Sequence, residues 1–140
     1  MNIKNLENLK MLIVEQNTHV MSFCLALIPS ELEAQQLSLD ALDLIMLEKM
    51  DIIRPLFSGD DFNYKTKSFR KLWIQTAYLI AQGRIKKINK LFQKERDFYD
   101  FYNFSMVERS VLFLFYRFKF SLIEVAQIVA EGYLDVVTIL

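Results

Sequence analysis

Chemistry needs side chains that can hold a proton, a metal or a phosphate, and this chain has few arranged to do so. His19 is the only histidine and Cys24 the only cysteine. A lone histidine with no second ligand type nearby reads as a surface or core residue. A lone cysteine can form neither an internal disulfide nor a multi-cysteine metal site. Cys24 lies inside the apolar stretch 21–28, so it is expected as a buried small hydrophobe in a reducing compartment. The acid pairs Asp60-Asp61 and Glu31/Glu33 fall in a polar loop and at a helix start, where the helix dipole favours acids. There is no glycine-rich phosphate loop, no Ser-His-Asp set and no Cys-His dyad. Neither catalysis nor a cofactor is expected.

What remains is the distribution of charge. The formal net charge is zero, yet residues 1–64 hold ten acids and four bases, and residues 97–140 hold six acids and three bases. Between them, residues 65–96 hold ten bases and one acid, Glu95. So concentrated a run is either a solvated face or a segment that meets a polyanion or an acidic partner.

These residues must be positioned by helices. Of the 140 residues, 53% are hydrophobic, including 12 Phe and 6 Tyr, with only 3 Gly and 2 Pro. A chain of this size buries a core without disulfides, and the scarcity of turn residues argues against sandwiches and barrels. The class expected is all-α. Ser30–Glu33, Ser105–Glu108 and Ser121–Glu124 have capping-box spacing, each marking a helix start, and Pro29 ends the helix before the first of them. The pattern predicts helices over 3–27, 31–53, 66–94, 106–118, 122–130 and 134–140. In the first, Ile3, Leu6, Leu9, Ile13, Val20 and Phe23 form the apolar side. The opening residues MNIKNLENLK mix charge and amide, unlike a signal peptide. No stretch approaches the ~20 apolar residues of a membrane span, so the cytoplasm is the expected location and no membrane is expected as a partner.

Within the last third, Ala126 supplies the small residue a helix-turn-helix needs at its crossing. Val125, Val129, Val136 and Ile139 supply packed faces, and Gly132 the turn. The run Glu108-Arg109-x-Val111-Leu112-x-Leu114-x-Tyr116, then Phe120-Ser121-x-x-Glu124-Val125-Ala126-x-Ile128, then Asp135-Val136, resembles the promoter-reading domain of bacterial sigma factors of the extracytoplasmic-function type. Two more segments are similar to that family, in its order. Asp40-Ala41-Leu42-Asp43-Leu44-Ile45-Met46-Leu47-Glu48 resembles its acidic helix, with Leu42, Met46 and Leu47 where the family has polar residues. Ser68-Phe69-Arg70-Lys71-Leu72-Trp73, continuing to Arg84-Ile85-Lys86-Lys87, looks like its promoter-opening helix, with the Trp one place late.

The resemblance implies a domain over 1–95 like the family's polymerase-binding region and a helix-turn-helix domain over 96–140. It implies RNA polymerase core and promoter DNA as partners. Asp40, Asp43, Leu44, Met46 and Leu47 would then meet polymerase or another protein. Lys67, Arg70, Lys71, Trp73, Arg84, Lys86 and Lys87 would meet DNA, with the bases tracking phosphates and Trp73 either stacking on a base or anchoring the core. Ser121, Glu124, Ala126, Gly132, Asp135 and Val136 would form the helix-turn-helix. Residues 131–140, however, contain two acids and no base, where the family holds phosphates with Lys and Arg. Val137, Ile139 and Leu140 expose apolar surface there unless a partner covers it. A second reading follows: a degenerate sigma mimic that binds an anti-sigma-like protein without reading DNA. Under either reading, bases 67–87 are expected in two solvent-facing clusters, one at each end of the long helix.

Overall fold

The computed structural model describes residues 3–54, 62–95, 100–130 and 133–140. Helix α1 (Ile3–Leu27) leads into α2 (Glu31–Glu48), α3 (Met50–Ile53), α4 (Phe62–Gly83) and α5 (Ile85–Glu95). After a 3-10 turn at Asp100–Asn103 come α6 (Met106–Leu112), which runs on as a π-helical segment Phe113–Arg117, then α7 (Leu122–Val129) and α8 (Tyr133–Ile139). There is no strand among the described residues, and the protein is all-α. The expected polar loop 58–61, the aromatic residues 98–99 and Gly132 lie outside the described residues.

Local chemistry explains most boundaries. At Ser105 and Ser121 both halves of the capping box form: each hydroxyl accepts from the third amide at 3.2 Å, and Glu108 and Glu124 reach back to the serine amides at 3.0 and 3.1 Å. Hydrogen bonds from Ser105, first its backbone and then its side chain, hold the Glu108 carboxyl below its ordinary pKa. At Glu124 partial burial pushes the other way, but the Ser121 bonds and Lys67 outweigh it and the pKa is lowered. At Ser30 only one half forms, the hydroxyl accepting from the Glu33 amide at 3.4 Å. The Glu33 carboxylate lies instead 3.7 Å from Lys87.

Two expected helices are each divided. The second breaks at Lys49 (φ −121°, ψ 21°), whose carbonyl takes the amides of both Ile52 and Ile53. The long helix expected at 66–94 starts earlier and turns at Gly83-Arg84, where the Arg84 amide returns to Ala81 in a tight turn. Glycine inside a helix costs about 1 kcal/mol relative to alanine, which makes Gly83 the place for that turn.

Helices α1, α2 and α4 pack on one another, α6 packs on α1 and α7 on α4. One hydrophobic cluster runs through them, from Val20, Phe23 and Leu27 across Leu37, Ile45, Trp73 and Ile74 to Val111, Leu114, Val125 and Val136. The stretches 1–95 and 96–140 therefore share a core. Cys24 is fully inside it, and burial pushes its thiol up to about 12, which leaves it inert.

A buried cation joins the two stretches. The last carbonyls of any helix lack intrahelical partners, and in α1 these groups are met by residues far along the chain. Arg109, only 2% exposed, donates from Nε to the Ala26 carbonyl at 2.9 Å and from its terminal nitrogens to Leu27 at 3.2 Å and to Phe104. The Tyr102 hydroxyl donates to Leu25 at 3.3 Å. A cation at the negative end of a helix dipole is also favoured.

Helices α6 and α7 are closed by residues in the left-handed region, Lys119 (φ 57°) and Ala130 (φ 55°). The Phe120 amide returns to Leu114 at 3.1 Å, a Schellman-like closure widened by the π turn. Arg109→Ala leaves two buried carbonyls and that of Phe104 short of a donor, and an expected loss of about 3 kcal/mol is measurable by urea denaturation. Lys119→Gly relieves the left-handed strain and should gain about 0.5–1 kcal/mol in the same assay, since glycine adopts that conformation without a Cβ clash.

Candidate interaction surface

The residues read from the sequence as DNA-facing fall into three environments. Trp73 is completely buried on α4, its indole N–H donating to the Ser38 carbonyl of α2 at 2.9 Å and its ring edge-on to Phe69 at 5.7 Å. It is a core anchor in this structure, with no face open to stack on a base. Leu72 and Ile80 beside it are half-buried against the core.

Most of the bases face other helices of the same chain. Arg70 and Lys71 are half-buried, which corrects the expectation that they stand in solvent. Arg70 donates from Nε to Gln16 of α1 at 2.5 Å, and Lys71 reaches Gln127 of α7 at 2.6 Å. Lys67 lies 3.4 Å from Glu124 of α7. At the other end Arg84 meets Asp40 of α2 at 2.9 Å, and Lys87 lies near Glu33. A Gln36 bond at 2.8 Å, together with Arg84, holds the Asp40 carboxyl below its usual range despite partial burial. The two basic clusters exist, but their chief partners are α2 at one end and α1 and α7 at the other. Lys86 is exposed and, like Lys90, has no partner among the described residues.

On α2 the residues read as partner-binding divide by face. Asp40 belongs to the seam with α5. Leu44 is half-buried, and Met46 is half-buried against the core. Asp43 and Leu47 point outward, Leu47 with 83% exposure. With Leu32, Gln36 and Leu39, also exposed, they form a stripe at positions 32, 36, 39, 43 and 47. That alternation of three- and four-residue steps keeps side chains on one side of a helix. A groove of about 280 Å³ borders the stripe between α1 and α2, lined by Asn17, Met21, Glu31, Gln35, Ser38 and Leu39.

In the last third, Val125 and Val136 are buried and Ala126 is half-buried against the core, while Ser121 and Asp135 are exposed. Glu124 is committed to its cap and to Lys67. Outward-facing Ile123, Leu134 and Val137 add apolar surface. Sequence reasoning missed Gln16, Gln127 and Arg109. Gln16 carries a legible signal, since it lies on the buried side defined by Leu9, Leu12, Val20 and Phe23.

No helix among the described residues is long and apolar enough to cross a membrane. No protein-family model matches the chain, and neither a curated protein nor a solved structure is detectably similar to it.

The Ser38 hydroxyl is buried and lacks a hydrogen-bond partner among the described residues. Ser38→Ala removes that unsatisfied group while keeping the backbone carbonyl that holds Trp73. A gain of about 1 kcal/mol is expected in thermal or urea unfolding.

Proposed function

We propose that this chain is a sigma-like helical protein that acts by contact with another protein, of the anti-sigma type, and does not read promoter DNA. The observation that carries this reading is the exposed stripe on α2. Leu32, Leu39 and Leu47 stand outside a helix whose opposite face is already packed into the core. Their spacing suits a partner helix laid along α2, which buries apolar knobs at about every second turn. Asp43 and Gln36 would set its register, because an unpaired buried polar group penalises the wrong alignment.

The behaviour of the bases supports the same reading. Affinity for DNA comes chiefly from cations free to neutralise phosphates. Lys67, Arg84 and Lys87 have acidic partners within the fold, and Arg70 and Lys71 are bonded to glutamines. Binding a duplex would require several of these contacts to be exchanged. The α7–α8 pair, read as a helix-turn-helix, adds the exposed acid Asp135 where a recognition helix needs bases. A direct sigma role, with RNA polymerase core and promoter DNA as partners, draws support from Lys86 and Lys90, both exposed and without a partner.

Affinity purification of the tagged chain from its own cells distinguishes the two. A protein complex that survives high salt and is lost in Leu39→Glu/Leu47→Glu, with Lys86→Glu/Lys87→Glu unaffected, is the expected result. Both leucines are exposed, so these changes should leave folding within about 0.5 kcal/mol of the parent. Salt-sensitive binding of core polymerase and promoter DNA, weakened by Lys86→Glu/Lys87→Glu, overturns the reading in favour of the sigma role.

A further inference from the structure

Away from the α2 stripe, His19 and Arg70 meet on one ring, that of Phe118, with Arg117 next to it in the chain. The His19 imidazole and the Phe118 ring meet in a T-shaped arrangement, with centroids 6.0 Å apart and planes at 79°. The Arg70 guanidinium stands 5.8 Å from the centre of the same ring. Arg117 precedes Phe118 in the chain, and its charge reaches His19. Burial first, then Arg70 and Arg117, lowers the histidine's pKa.

Among the described residues, neither arginine of this cluster has a carboxylate in ion-pair range. Lys67, Arg84 and Lys87 each have a carboxylate in range. Arg70, half-buried, has only the Gln16 amide oxygen and the ring face, and its terminal nitrogens bond to nothing among the described residues. Burial lowers its pKa as well, because a guanidinium held partly away from water is costlier to keep charged. Arg117 is exposed and likewise has no partner among them. It is also the last residue of the π-helical segment Phe113–Arg117. Such segments are rare, and occur frequently at functional sites.

We propose that Arg70, Arg117 and His19 around Phe118 form a binding site for a phosphate monoester dianion. Two guanidinium groups match two negative charges, and their planar forks suit bidentate bonding to phosphate oxygens. A neutral imidazole adds one N–H donor without needing to be charged. Phe118 forms an apolar floor beside which these bonds are better shielded from water than on an open surface.

The test follows the His19 ring signals by NMR at neutral pH and constant ionic strength. Inorganic phosphate is titrated against a chloride control, and a phosphoserine-containing peptide in parallel. A saturable shift with inorganic phosphate, absent with chloride, is the expected result. A tighter response to the peptide places the phosphate on a protein, and an equal one points to a free small phosphate. Arg117→Gln, at an exposed position, should weaken binding about tenfold, as loss of a charge-assisted bond to an ion does, while the remaining amide spectrum is unchanged. Absence of a saturable shift with either probe, or full affinity in Arg117→Gln, overturns the assignment.

Discussion

The C-terminal end of α1 is the constraint on which the rest of this structure depends. A 25-residue helix that ends inside the protein presents carbonyls to a medium with little water. Those of Leu25, Ala26 and Leu27 take bonds from Tyr102 and Arg109, residues that belong to the connection and to α6. Because a guanidinium is planar and holds its donors in a fixed fork, it dictates where α6 sits against α1. Leu114 and Val111 then enter the same core as Phe23 and Leu27. A looser arrangement of the two stretches would leave both a charge and several carbonyls buried without partners, a combination worth several kcal/mol.

Electrostatics on the surface follows from that placement. With α6 fixed, α7 is carried against α4, and its Gln127 and Glu124 meet Lys71 and Lys67. On the other side α5 turns at Gly83-Arg84 and brings Arg84 and Lys87 to the acids of α2. Exposed pairs of this kind contribute little stability one by one. Their effect is on availability, since each base engaged by an internal partner must break that contact before it serves an external one. What α2 leaves outward then includes Leu32, Leu39 and Leu47, with Asp43 and Gln36 on the same side.

Helix class and the capped starts were legible because they rest on local chemistry: Ser105 and Ser121 bond to residues three positions away, and Pro29 acts on its neighbour. The breaks were harder. Gly83 could have been flagged as a weak point in a helix, but Lys49 carries no comparable signal. The apolar side of α1 was read partly in the wrong register, since Leu6 is exposed while Leu12 and Gln16 are buried. Gln16 is inside because Arg70, 54 positions later, bonds to it. Likewise the basic run was visible as a run, but whether its members face solvent depends on Asp40, Glu33 and Glu124, which only the tertiary fold brings near. The ring contacts at Phe118 join α1, α4 and the π segment, a convergence no single stretch displays.

The clamp on α1 also has a consequence in time. Arg109 and Ala26 lie 83 positions apart. At a synthesis rate of about 5–20 residues per second, α1 is made roughly 4–17 s before the side chain that completes its end. During that interval the nascent chain holds Phe23 and Leu27 without the α6 face that later covers them. Vectorial synthesis thus leaves this protein a window in which a ribosome-bound chaperone, or an early misfolded contact, competes for the first helix.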